Sequence, residues 1–123
     1  MYLLDTNAVI DYLNNKLSSE ANLLMDDIRI PQISIASRIE LSILPNADVK
    51  QIEIMQEYIS YCTVFELTEA VVLKIIEIRK KYKIRDFDSI IAATALVHKL
   101  TLITSDKDFS NIKRLKIINP NKL

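Results

Sequence analysis

Apolar residues in this chain fall into short unbroken runs separated by longer amphipathic stretches. "YLL" (Tyr2–Leu4), "RIPQISI", "CTVFEL", "LTLIT" and "LKIINP" read as strands. Between them, apolar residues recur three or four apart, the period of a helix with one buried face. "NAVIDYLNN" makes a short helix ended by Asn14 and Asn15, and "SSEANLLMDDI" opens with the Ser/Glu signature of a helix start. "ASRIELSIL" is helical and stops before Pro45, and "DVKQIEIMQEYISY" carries Ile52, Met55 and Ile59 at helical spacing. "TEAVVLKIIEIRKKYK" is a long helix opened by Thr68, "DSIIAATALVHK" is another, and "DKDFSNI" is a short helical turn. Strand alternating with helix predicts an α/β domain, with a mostly parallel central sheet and helices on its faces. No linker, repeat or low-complexity stretch interrupts the pattern, so residues 1–123 read as one domain.

Acids break the pattern where it should be most apolar. "YLL" ends on Asp5 and "LTLITS" on Asp106. Ligands of parallel sheets gather beyond the C-terminal strand ends, so both acids point to one edge. Two further acids fall on inward helix faces. Glu40 lies within the stripe Ala36, Ile39, Ile43 and Leu44, nearly opposite Arg38, and Asp88 shares its face with Ile91 and Ala92. Asp86 keeps company with Ser89 as well as Ile90 and reads as more exposed. Singly, each acid has a plainer reading: Asp86 or Asp88 as a helix cap, Asp106 as a turn cap, Glu40 as the partner of an arginine. Together, carboxylates aimed at one edge repel by a few kcal/mol per close pair, and a divalent cation removes that conflict. Oxygen-only ligands suit Mg²⁺ or Mn²⁺, and such an ion in an open acidic cleft is equipment for phosphodiester hydrolysis.

Composition narrows the chemistry by what is missing. The 123 residues include no glycine, which excludes both the Walker loop and the GxGxxG dinucleotide fingerprint. A single cysteine, Cys62, sits in an apolar run and reads as a core residue; it excludes a disulfide framework or a Cys-rich zinc site. One histidine, His98, lies near the end of an apolar helix and reads as structural, so Ser-His or Cys-His catalysis is not expected. With 16 basic and 16 acidic side chains, bulk charge does not drive nucleic-acid binding. The N-terminus lacks signal-peptide regions and no apolar run reaches membrane-spanning length, so a cytoplasmic protein away from the membrane is expected.

The ordered blocks "LLDTNAVID", "ISIASRIEL", "DSIIAATAL" and "LITSDKDF" followed by "LKIINP" resemble the PIN-domain ribonucleases. Within them, the short single-domain form resembles the VapC toxins of toxin–antitoxin pairs. The resemblance implies a three-layer α/β/α domain and a metal-dependent endoribonuclease acting on RNA with Mg²⁺ or Mn²⁺. It matches Asp5, Glu40, Asp88 and Asp106 to the family's four acids: Asp5 and Asp88 as main metal ligands, Asp106 ligating a metal or its water, Glu40 orienting water or helping to hold a second ion. Asn7 and Thr104, with Ser105 less strongly, match polar positions that hydrogen-bond the acids. Asp108 matches a frequent acid that also fits a solvated turn. The family's usual glycines are replaced around Leu44–Pro45 and in "KYKIRDF", which puts the loop geometry of the substrate path in question.

"RKKYKIR" places Arg79, Lys80, Lys81, Lys83 and Arg85 beside the block holding Asp88, as phosphate contacts or as a solvated helix end. Tyr82 among them either stacks on a base or packs. The resemblance also implies a small antitoxin, whose Arg or Lys would reach Asp5 and Asp88, and a homodimer. Two apolar rows on "DVKQIEIMQEYISY", Ile52/Met55/Ile59 and Ile54/Tyr58/Tyr61, exceed what one core face needs. Rival readings are an inactive PIN-like RNA-binding or scaffold module, and a receiver-like phosphoacceptor domain. "DTN" offers one acid where a receiver has a pair, and "CTVFEL" ends without an Asp.

Overall fold

The computed structural model describes all residues, Met1–Leu123. The elements are β1 (Tyr2–Leu4), α1 (Thr6–Leu13), α2 (Ser19–Asp26), β2 (Gln32–Ser34), α3 (Ile35–Ser42), α4 (Val49–Tyr61), β3 (Thr63–Phe65), α5 (Glu69–Lys81), α6 (Asp86–Val97), β4 (Thr101–Ile103) and β5 (Ile117–Ile118). Each expected run and helix is present. Local chemistry sets the helix starts: the side chains of Ser18, Ser34, Asp48 and Thr68 each accept a backbone N–H of the first turn. Asp48 adds a reciprocal capping box with Gln51. Helix α6 starts two residues ahead of "DSII", at Asp86, because Arg85 is extended and precedes the first helical turn.

Every strand pair is parallel, as the alternation predicts. The ladder is split, however, into a β1-β4-β5 sheet and a β2-β3 pair. Gln32 replaces part of the missing ladder by donating its side-chain amide to the Tyr2 carbonyl at 3.0 Å.

The strands are apolar runs because both faces are covered. Leu3 and Leu102, cross-strand partners, join a core with Ile78, Ile91 and Phe109 from the α5–α6 side. Their neighbours Leu4 and Ile103 point the other way, into a core with Val9, Met25, Leu41 and Met55 from α1, α2, α3 and α4. Two apolar clusters on opposite faces make three layers, and burial of each large side chain stabilises the fold by about 1.5–3 kcal/mol.

Helix α3 corrects one expectation. Its inward face is Ala36, Ser37 and Leu41; Ile39 and Ile43 are exposed and Leu44 only half-buried. The helix ends at Ser42, so Ile43 and Leu44 lie past the regular turn and no longer share its face.

Without glycine, other residues take the left-handed turns. Asn15 (φ 57°) and Asn46 (φ 63°) do so at modest cost, and Asn46 closes the loop after Leu44–Pro45. Lys99 (φ 56°) ends α6 in a Schellman arrangement, with Leu100 N–H donating to Ala95 and Lys99 N–H to Leu96. A Cβ is strained there, so Lys99→Gly is expected to stabilise the protein by about 1 kcal/mol in denaturant titration.

Candidate active site

Parallel pairing carries β1 and β4 side by side to one edge, and their next residues, Asp5 and Thr104, are neighbours there. The Asp5 N–H still donates to the Ile103 carbonyl, so the ladder reaches the acid itself. Asp5 is buried, at 4% exposure, and caps α1. Its Oδ1 accepts the Thr6 N–H at 2.8 Å; its Oδ2 accepts the Asn7 amide at 2.8 Å and the Thr104 hydroxyl at 2.6 Å. Burial pushes its pKa up to about 6 against those hydrogen bonds, and the charges of Asp88 and Glu40 add to the rise.

Thr104, fully enclosed, ties the site together: its hydroxyl also accepts the Asp106 N–H at 3.0 Å. Asn7 accepts from both the N–H and the hydroxyl of Ser105, each at 3.3 Å. The three polar positions expected beside the acids, Asn7, Thr104 and Ser105, therefore form one network around Asp5. Thr6 and Ser37 belong to it too and were not expected. The Thr6 hydroxyl donates to Glu40 Oε1 at 2.6 Å and lies 3.0 Å from the Ser37 hydroxyl. Their signal was present: Thr6 is the middle of "DTN", and Ser37 stands three residues before Glu40 on one helix face.

Asp88 projects from the first turn of α6, is 5% exposed and caps nothing. Burial raises its pKa, with Asp106 and Glu40 adding to the rise and Arg85 opposing it. Asp106 caps the 3-10 turn Lys107–Phe109 by accepting the Asp108 N–H at 2.9 Å. That turn, pinned by fully buried Phe109, brings Asp108 back toward Asp106. Carboxylate oxygens of Asp88, Asp106 and Asp108 all lie within 4.8 Å of one another. Asp5 stands beside this trio rather than in it, its oxygens already engaged. Asp5, Glu40, Asp88, Asp106 and Arg85 line a single open cleft of about 420 Å³, with Ile43, Leu44 and Pro45 on its rim.

The basic stretch divides. Arg85 Nε donates to Asp88 Oδ2 at 3.1 Å, with the arginine side chain 75% exposed, so it belongs to the cleft. Arg79 pairs with Asp86. Lys80, Lys81 and Lys83 are exposed along a shallow depression. Tyr82 packs: its ring joins the α5–α6 core and its hydroxyl accepts the Lys113 N–H at 3.1 Å. His98 stacks on Phe65 at 4.2 Å at the far end of α6 from Asp88. Cys62 is a half-buried free thiol whose pKa burial raises to about 11.

A parallel three-layer sheet with buried acids gathered at its C-terminal edge defines the class of protein. The sequence pattern of the PIN domain matches residues 2–115, and the chain belongs to that family. Among solved structures it is similar to a toxin–antitoxin complex from Klebsiella pneumoniae (TM-score 0.78, 25% identity, 98% of each chain covered). It is also similar to VapBC2 from Rickettsia felis bound to a promoter DNA fragment (0.78, 23%, 96% of this chain and 97% of that one). A third is FitAcB from Neisseria gonorrhoeae (0.76, 23%, 100% of each). No curated protein sequence matches the chain. The VapC-like resemblance read from the sequence is thus borne out.

Proposed function

We propose that this PIN domain, residues 1–123 as one unit, is a metal-dependent endoribonuclease and the toxin of a toxin–antitoxin pair. One observation carries the reading: Asp88 and Asp106, which line an open cleft with the buried Asp5, converge with Asp108 to within 4.8 Å. The donor set fits a small hard cation. It is all oxygen, and ligands opposite one another on Mg²⁺ stand about 4.2 Å apart, close to the spread of the trio. Asp88, Asp106 and Asp108 would hold Mg²⁺ or Mn²⁺, with Asp5 alongside. When bound, such an ion lowers the pKa of its water and neutralises charge on phosphoryl oxygens.

The chain's own residues do the rest. Thr6 anchors Glu40 through Oε1, which leaves Oε2 to orient a water toward a phosphodiester. Thr104 and Asn7 fix the Asp5 carboxylate so that its charge faces the cleft without rotating away. Arg85, held only by an exposed pair, swings from Asp88 to a scissile phosphate at little cost and binds it with two parallel N–H groups.

With purified protein and RNA, cleavage is expected to stop in EDTA and to return with Mg²⁺ or Mn²⁺. A folded protein that cuts no RNA, or cuts it equally well in EDTA, overturns the proposal. Thr104→Val keeps the shape but removes the hydroxyl that binds Asp5 and the Asp106 N–H. It should cost about 1–3 kcal/mol of stability and weaken Mn²⁺ binding about 10–100-fold, read by melting curves at graded Mn²⁺.

The partners follow from adjoining surfaces. The cleft runs on into an apolar groove lined by Ile10, Leu13, Leu44, Pro45, Ile54 and Met55, which suits an apolar antitoxin segment whose Arg or Lys enters the acids. Helix α4 leaves Val49 and Ile52 exposed one turn apart, an apolar patch suited to a second copy, as a homodimer requires. No helix is long and apolar enough to cross a membrane. A cytoplasmic enzyme meeting cellular RNA is the setting this reading calls for.

A further inference from the structure

A second concentration of positive charge lies away from the acidic cleft. Between α5 and the segment before β5 runs a groove of about 510 Å³, walled by Lys74, Lys81, Lys113 and Arg114. It merges through Lys74, Leu96 and Arg114 with a depression of about 400 Å³ that adds Lys99 and Lys116. One acid, Glu77, stands among these six cations. Lys74 engages it at 2.9 Å, and the nearby charges of Lys81 and Arg114 help hold its carboxyl below the usual range. The floor is apolar, formed by Ile78, Leu96 and Ile112.

Two features of the backbone mark the groove as built. Tyr82 reaches across from the end of α5 to accept the Lys113 N–H, which fixes one wall. The next residue, Arg114, is held at φ 70°, where a side chain with a Cβ is disfavoured by roughly 1–2 kcal/mol. Strain of that kind persists where the surrounding structure over-determines it.

We propose that this groove binds the sugar–phosphate backbone of single-stranded RNA as a second contact for the substrate, remote from the cleft. The inference rests on the nuclease reading. Charge and shape select a polyanion: cations on the walls for phosphates, apolar floor for ribose and base faces. Continuity selects RNA. Lys81 and Tyr82 also line the depression that carries Lys83, and Arg85 follows at the cleft, so a basic path joins groove to acids. A strand threaded through the groove is thereby led to the acids, which a folded lipid surface is not.

The test compares wild type with Lys74→Gln/Lys113→Gln/Arg114→Gly, whose third change also relieves the strained φ. In EDTA, the affinity of the variant for a twenty-nucleotide RNA should fall at least about tenfold, and the slope of log K against log salt should shrink by about 2, near 0.7 per charge. With Mn²⁺, cleavage of a four-nucleotide RNA, too short to span both sites, should be unchanged. Unchanged affinity and slope for the long RNA in a folded variant overturn the proposal. A readout on the wild type needs no variant: bound RNA should protect Lys74, Lys99, Lys113 and Lys116 from acetylation while leaving Lys16 and Lys50 reactive. Equal labelling with and without RNA overturns it, as does protection by phosphatidylserine vesicles but not by RNA. Loss of the nuclease reading would show as absent cleavage in wild type with the EDTA comparison intact, so the two failures are distinguishable.

Discussion

In Asp88→Asn, RNA cleavage is expected to fall by about three orders of magnitude, while the metal-free protein melts at the same temperature or higher. The first effect follows from the trio: removing one charged ligand forfeits several kcal/mol of transition-state stabilisation, and about 4 kcal/mol corresponds to a thousandfold. The second follows from the acid's surroundings. Burial, Asp106 and Glu40 all disfavour the charge on Asp88. Its one ion-pair partner is Arg85, whose side chain is 75% exposed, and such a pair contributes no more than about 1 kcal/mol. Neutralising Asp88 therefore removes more repulsion than attraction. In the wild type, Mn²⁺ should raise the melting temperature because only the folded chain assembles the site; in the variant it should do so far less. A variant that is destabilised, gains as much from Mn²⁺ as the wild type does, and still cuts RNA would show that Asp88 is structural.

Sequence reading reached this site because its acids violate the local pattern. Asp5 and Asp106 end apolar strands and Asp88 interrupts an apolar helix face, and each is visible without coordinates. Asp108 was not separable from a solvated turn residue. Its place depends on a 3-10 turn whose geometry is set by Phe109 dropping into the α5–α6 core, a tertiary fact. The end of the stripe, Ile43 and Leu44, misled for a related reason: periodicity assumes the helix continues, and α3 ends at Ser42. Arg85 belonged to a run of five cations of equal appearance. Its own extended backbone, at the N-cap of α6, sets it apart from them and aims it at Asp88. The groove of Lys74, Lys113 and Arg114 has no sequence signature at all, since its walls come from segments more than thirty positions apart.

Asp5→Asn should abolish cleavage as thoroughly, but its stability signature is different because Asp5 is satisfied as well as buried. Its pKa is raised from about 3.8 to about 6, chiefly by burial. The sign follows directly. Between those values the native state keeps a proton that the unfolded state has lost, so this group makes metal-free stability fall as pH rises from about 4 to about 6, and then level off. Two units correspond to at most about 3 kcal/mol. Asparagine removes that penalty but presents an N–H₂ where the Asn7 amide and the Thr104 hydroxyl both donate. Rearranging that contact costs about 1–3 kcal/mol at every pH. The variant should thus be less stable than wild type at pH 4 and draw level with it by pH 7. Urea titrations in EDTA at pH 4, 5.5 and 7 measure the difference between the two proteins, in which the other carboxylates cancel. A difference that stays constant across that range would mean that Asp5 is ionised throughout, and that the fold holds its charge without strain before any metal arrives.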